Sequence, residues 1–386
     1  MMFRQLALCL LSLSISTASA QESKSNKLRA RDYGIQIGLM QPGKYNAITD
    51  VSGVKVGHKT LKNPQQINTG VTAIIPHSGN LFQKKVPAAV YAANGFGKLA
   101  GSTQIEELGN LETPIVLTNT LSVPTAMDAL IKYTINQKGN EKIYSVNPVV
   151  GETNDGLLND IRGQHVNTND VLEAIQSAAP GEVAEGSIGA GTGTICFGFK
   201  GGIGTSSRIL PESLGGYTVG VLVQSNFGGA LTINGAPVGK ELGDFSFSKQ
   251  LLDKADGSCM VIVATDAPLN ERNLKRLAKR AFLGLGKTGG IASNGSGDYF
   301  IAFSTHPDVQ TTYQSKNLEY STPTVHNDHL SPLFMAAIEA TEEAIINSLF
   351  AAEAVEGHRG EVSPLPLKQV IPILQKYNAI KTQSEQ

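Results

Sequence analysis

Ser258, placed between Gly257 and the apolar run at residues 260–264, has more chemistry open to it than any other side chain in this sequence. Asp256-Gly257 is a turn signal, and the run behind it is rich in β-branched residues. The stretch "DGSCMVIVAT" therefore predicts a strand with a polar mouth. On that reading Ser258 is only a wet strand-end residue. A second reading gives it a reaction. If the chain breaks between Gly257 and Ser258, the new N-terminal serine carries both a hydroxyl and a free α-amine. Such an amine has a pKa of about 7.7–8.0, so its neutral form can serve as a general base. Nucleophile and base then belong to one residue. A preceding glycine tolerates unusual backbone angles and lets Oγ approach its own upstream carbonyl. Attack there gives an ester by N-to-O acyl shift, which water opens.

Several other chemistries lack their residues. "LGLGKT" at 283–288 imitates a phosphate loop, but the pattern needs Gly where Ala281 stands, and it follows a helical segment. "GAGTGT" at 189–194 lacks the last Gly of a dinucleotide fingerprint and no helical pattern follows. Its glycines suit tight turns and close backbone packing. His326 and His329 in "HNDH" have no third ligand at a zinc-type spacing, so no metal is expected. Around Ser296 the sequence is "NGSGD", with Asn294 where a nucleophile elbow needs Gly. No cofactor is implied.

The elements that must position Ser258 are legible in outline. "YNAITDVSGVKVGHKTL" alternates and carries Gly, as strand-turn-strand would. "VPTAMDALIKYTINQK" has helical spacing after Ser122, and "VLEAIQSAA" is a second helix with Asn169 and Asp170 as its cap residues. Residues 186–229 are strand and glycine. Beyond Ser258 the order is strand, helix, strand, helix: an amphipathic helix in "NERNLKRLAKRAFLGLG", a strand in "DYFIAFSTH", and a long apolar helix in "LSPLFMAAIEATEEAIINSLFAAEAV". Strands feeding helices on both sides predict an α/β architecture of sheets between helical layers.

Residues 1–20 read as a removable export signal, with Arg4 in a charged start, an apolar stretch over about residues 6–15, and the small residues Ala18-Ser19-Ala20. The mature chain would begin near Gln21 and reside in the periplasm or outside the cell. The formal net charge of −1 gives no electrostatic footprint for nucleic acid or an anionic membrane, so neither is expected as a partner. Of three cysteines, Cys9 leaves with the signal. Cys196 and Cys259 sit in apolar runs and read as small buried hydrophobes.

Five stretches in order, "NAITDVSGVKVGH", "NPVVGETNDGLLNDI", "GTGTICFGFKGGIGTSSR", "GVLVQSNFG" and "GSCMVIVATDAPL", resemble the self-processing aminopeptidases of the L-aminopeptidase/D-esterase and β-peptidyl aminopeptidase group, peptidase family S58. The resemblance runs over about residues 29–377. It implies a four-layer αββα sandwich that looks like the N-terminal nucleophile hydrolases with different connectivity. It also implies that one catalytic domain is cut into a larger chain, 21–257, and a smaller chain, 258–386, in a ring of four such pairs. Carried over residue by residue, Ser258 matches the nucleophile and Asn226 the amide that holds the oxyanion. Ser296 and Asp298 match a Ser and an acidic residue that orient the nucleophile and its amine. Glu152 matches the carboxylate that receives the substrate's ammonium group, and Asn154 stands where some relatives place an oxyanion-assisting Tyr. The implied substrates are short peptides and amino-acid amides or esters with α-L, α-D or β first residues. Without the resemblance, Asn226 reads as a turn residue and Gly295-Ser296-Gly297-Asp298 as a hairpin turn. Asp155, Asn159 and Asp160 read as loop-helix caps. Two other functions stay open: an N-acyltransferase similar to ornithine acetyltransferase, and a secreted binding module without catalysis.

Overall fold

The computed structural model describes residues 28–63, 65–243, 245 and 256–380. The expected export signal and residues 246–255, just upstream of Gly257, lie outside them. Nine strands carry the architecture: β1 (Lys55–Asn63), β2 (Ile67–Ile75), β3 (Lys84–Gly95), β4 (Ile115–Asn119), β5 (Val149–Thr153), β6 (Gly202–Ile209), β7 (Thr218–Asn226), β8 (Asp256–Thr265) and β9 (Gly295–Ser304). Four helices cover them: α1 (Val123–Ile135), α2 (Thr168–Gln176), α3 (Glu271–Lys287) and α4 (Ser331–Phe350). One sheet has the order β1-β2-β4-β5, with Leu99–Ala100 on the β5 edge. The other runs β6-β7-β8-β9-β3 and ends on Thr311–Thr312.

The period of two along β8 shows why the layers form. Met260, Ile262 and Ala264 enter the core between the sheets, where they join Ile74, Ile115, Leu117 and Val149. Cys259, Val261 and Val263 face the opposite way, into a core shared with Leu274, Leu277, Ala340 and Ala344 of α3 and α4. A strand buried on both faces reads as a continuous apolar run, as residues 260–264 do. A third core joins Val71, Val116 and Val150 to Ala126 and Leu130 of α1 and Val171 and Ile175 of α2. Three cores between four layers make an αββα sandwich, as expected. Cys196 and Cys259 are buried, free thiols.

Helix α4 is apolar nearly all round, yet it carries Glu339 and Glu343 inside the protein. Arg208 of β6, itself fully buried, meets Glu339 at 3.1 Å and Glu343 at 2.7 Å, and Arg31 adds a second contact to Glu343 at 2.7 Å. Losing one partner of such a cluster strands a buried charge, at a cost of about 3–5 kcal/mol. These ion pairs join residues upstream of Gly257 to residues downstream of Ser258.

Local expectations needed three corrections. The segment before β1 is a short 3-10 turn, Ile48–Asp50, not a strand. Helix α2 is capped by Asn167, whose side chain accepts from the N–H groups of Asn169 and Asp170, and Asp170 answers by accepting from the Asn167 N–H at 2.9 Å. The capping box thus starts two residues earlier than the Asn169-Asp170 pair alone indicated. Finally, residues 295–298 form no hairpin turn, since all four belong to β9. Their glycines serve close approach: a Cβ on Gly297 would lie 2.7 Å from the Phe96 carbonyl oxygen.

Candidate active site

Strand pairing sets the geometry around Ser258. It is the third residue of β8, opposite Asn226 of the antiparallel β7 and beside Gly297 of the parallel β9, which in turn faces Gly95 of β3. Asn226 is therefore the last residue of a central strand and not a turn residue. A cavity of about 680 Å³ opens here. Ser258, Asn226, Gly257, Glu152 and Asn154 all line it, together with the Phe96–Lys98 stretch, Thr120 and Phe227. Five of the residues singled out in the sequence thus share one cavity.

The Ser258 hydroxyl donates to the carbonyl oxygen of Gly257 at 2.6 Å, and the Gly297 N–H donates to Oγ at 3.4 Å. The hydroxyl is held against the carbonyl group that an N-to-O shift must attack. Gly257 lies in extended strand backbone, so its missing side chain serves space and not a left-handed turn. A Cβ there would lie 2.7 Å from Phe227 Cα and 2.9 Å from the Asn226 carbonyl oxygen, and backbone cannot yield as a side-chain tip can.

The Asn226 amide has a fixed sense. Its Oδ1 accepts from the Ile195 N–H at 2.9 Å, and only the oxygen can accept, so the NH2 occupies the other edge of the group. Glu152 is buried and clamped. One oxygen accepts from the Lys98 N–H at 3.0 Å, the other accepts from the Thr120 hydroxyl, and the Lys98 ammonium lies 4.0 Å away. Asn154 is exposed at the rim, with Oδ1 accepting from the Gly156 N–H at 3.0 Å. Asp155 is structural, as expected, and accepts from the Asn159 amide at 3.0 Å. Burial pushes its carboxyl up to about 6 against the hydrogen bonds from Thr69, Asn159 and Asn119.

Ser296 and Asp298 are close to Ser258 in the sheet but outside the cavity lining. Asp298 is the register partner of Cys259, one residue past Ser258, on the side of the sheet that faces α3 and α4. Among the described residues neither carboxyl oxygen has a hydrogen-bond partner, and burial pushes the carboxyl up to about 6. The nearby Ser296 hydroxyl pulls the other way without completing a well-formed bond. A buried acid with a raised folded pKa stabilises the fold when protonated, and that contribution is lost as pH climbs from its ordinary value toward 6. In an uncut Ser258→Ala chain, thermal stability should therefore fall between pH 4 and pH 7. Adding Asp298→Asn should flatten that fall by on the order of 3 kcal/mol. Equal slopes in melting curves of the two variants would contradict the placement of this charge.

His326 and His329 lie at the surface, and His326 Nδ1 is spent on the Asp328 N–H at 3.3 Å. Among the described residues no helix is long and apolar enough to cross a membrane. Lys98 and Thr120 are cavity residues that the sequence did not flag. Lys98 was concealed in the glycine-broken run "NGFGKLAG", where a lone cation between glycines was the available signal. Thr120 sits at a strand-to-helix junction with no motif at all.

Known proteins resemble this chain in sequence and fold. A β-peptidyl aminopeptidase of Sphingosinicella microcystinivorans is 43% identical over 375 residues, covering 91% of this chain and 93% of its own. The solved β-aminopeptidase of a Burkholderia species superposes with a TM-score of 0.83 at 44% identity, covering 90% of this chain and 99% of that one. The L-aminopeptidase D-Ala-esterase/amidase of Ochrobactrum anthropi, described as a variant of the Ntn hydrolase fold, also superposes with a TM-score of 0.83. It is 38% identical, covering 92% of this chain and 99% of that one. The family model of peptidase family S58 matches residues 46–363. With sequence, fold and family model in agreement, this chain belongs to peptidase family S58.

Proposed function

We propose that the chain cuts itself between Gly257 and Ser258, and that Ser258 then acts as the N-terminal nucleophile of an aminopeptidase. One observation carries the reading: the Ser258 hydroxyl lies against its own upstream carbonyl, in a cavity that also holds a clamped carboxylate and an oriented amide. In the first reaction Oγ attacks the Gly257 carbonyl carbon, the peptide nitrogen leaves as the new α-amine, and water opens the ester. Asp298 waits beside the nucleophile's strand without a partner, and the new ammonium of Ser258 supplies one. Once paired, that carboxylate and Ser296 orient the amine.

The second reaction is acyl transfer in the same place. Glu152 receives the ammonium of the substrate's first residue. Ser258 Oγ attacks that residue's carbonyl while the α-amine takes the hydroxyl proton. The Asn226 amide holds the oxyanion, the leaving amine departs with the proton, and water releases the first residue. Exposed Asn154 contacts the substrate at the rim. Substrates are short peptides, amides or esters, with β first residues favoured by the relatives' names. The two chains stay joined by shared cores and by the Arg31–Arg208–Glu343 cluster. The pairs assemble as a ring of four, and the protein is exported.

The Glu152 role has its own test. Glu152→Gln keeps the shape and the acceptor for the Lys98 N–H but loses the charge. It should raise KM for β-alanyl and L-alanyl p-nitroanilides about tenfold or more, with kcat changed far less. An unaltered KM would remove Glu152 from ammonium binding. Hydrolysis of these anilides by the wild type, with no need for an acceptor amine, separates the peptidase from an acyltransferase. No hydrolysis of either would overturn the proposal.

A further inference from the structure

Among the described residues lining the cavity, Glu152 is the one anion and Lys98 the one cation, and their charges lie 4.0 Å apart. They differ in freedom. Glu152 is 4% exposed and clamped on both oxygens, whereas the Lys98 side chain is 56% exposed on a flexible stem at the rim. Gly97 leaves the space beside the clamped oxygen open, since a Cβ there would stand 3.2 Å from Glu152 Oε1. A fixed carboxylate and a movable ammonium therefore border one open volume.

For a substrate whose first residue bears only an ammonium, Lys98 is a competitor: it occupies the same carboxylate and repels the incoming charge. The pair becomes complementary when the first residue also carries an anion next to its ammonium. Glu152 then takes the substrate ammonium, Lys98 swings to the substrate anion, and the charges alternate. In an aspartyl residue linked through its side-chain carboxyl, ammonium and carboxylate share one carbon, and the scissile carbonyl is one methylene away.

We propose that Lys98 is a specificity residue that fits this site to β-aspartyl peptides. The inference rests on the aminopeptidase reading above and uses the same steps. Ser258 Oγ attacks the β-carbonyl, the amine leaves with the proton, and water hydrolyses the ester to free aspartate.

The test compares 7-amino-4-methylcoumarin amides of β-aspartate and β-alanine, which differ only in the carboxylate, on the full processed protein. The wild type should favour the β-aspartyl amide by about tenfold or more in kcat/KM. Lys98→Met, which keeps most of the stem, should lower β-aspartyl turnover by about tenfold or more, chiefly through KM, and should raise β-alanyl turnover because the competing charge is gone. Lys98→Arg should retain the preference. Turnover of the β-alanyl but not the β-aspartyl amide, or an equal loss on both in Lys98→Met, overturns this inference and leaves the peptidase reading standing. Turnover of neither by the wild type overturns both.

Discussion

Ser258→Ala is expected to leave the chain in one piece and to lower amide hydrolysis by at least about 10⁴-fold, the scale on which nucleophile deletions act. On the proposed mechanism two functions vanish together, because one hydroxyl both opens the Gly257 carbonyl and attacks substrates. The variant should still fold. It removes one oxygen from a residue whose strand partners are backbone, and the flanking Cys259 and Met260 keep their places in the two cores. The checks are an intact mass and a β-alanyl p-nitroanilide assay on the same sample. An uncut variant with wild-type turnover would remove Ser258 from the reaction.

Asn226→Asp should lower kcat by about 10²–10³-fold, equivalent to about 2.7–4 kcal/mol of lost oxyanion stabilisation, with little change in KM. It should also slow self-cleavage, since the same oxyanion forms at the Gly257 carbonyl. The choice of Asp is deliberate. On the proposed reading Asn226 has two jobs that a truncation would mix, because Oδ1 fixes the Ile195 N–H while the NH2 edge would donate to the oxyanion. Aspartate keeps the acceptor and loses the donor, whereas Asn226→Ala loses both. If the oxyanion role is right, Asp is at least as damaging as Ala in single-turnover kinetics. Mild kinetics for Asp beside poor kinetics for Ala would assign Asn226 to holding Ile195 alone.

The main elements were legible from different signals: residues 260–264 as an apolar run behind a turn, α3 from its amphipathic period, and α4 from its length and apolar content. Where the sequence misled, local chemistry competed with long-range contact. Gly295-Ser296-Gly297-Asp298 has the residues of a turn but is held as strand by pairing to β8 and by the Phe96 backbone against Gly297. Gly257 invites an argument from backbone freedom, yet its reason is crowding by the Phe227 and Asn226 backbone, which no local motif announces.

The site divides the same way. Ser258 stands out from its own chemistry and Asn226, Glu152 and Asn154 through the family resemblance, and strand register and loop closure bring the four to one cavity. Lys98 and Thr120 were not named, because their roles depend on a carboxylate contributed by β5, more than thirty residues further along the chain in either case. No local pattern encodes such a meeting. The unpartnered state of Asp298 was equally invisible, since a sequence does not state which buried acids lack a donor.

The most direct measurement is intact mass with N-terminal sequencing on a purified sample that is actively hydrolysing amide. A fragment starting at Ser258, present in proportion to activity, is the predicted result. Full activity from a preparation in which Gly257 and Ser258 remain joined would contradict it, and would take the freed amine, as general base, out of the mechanism.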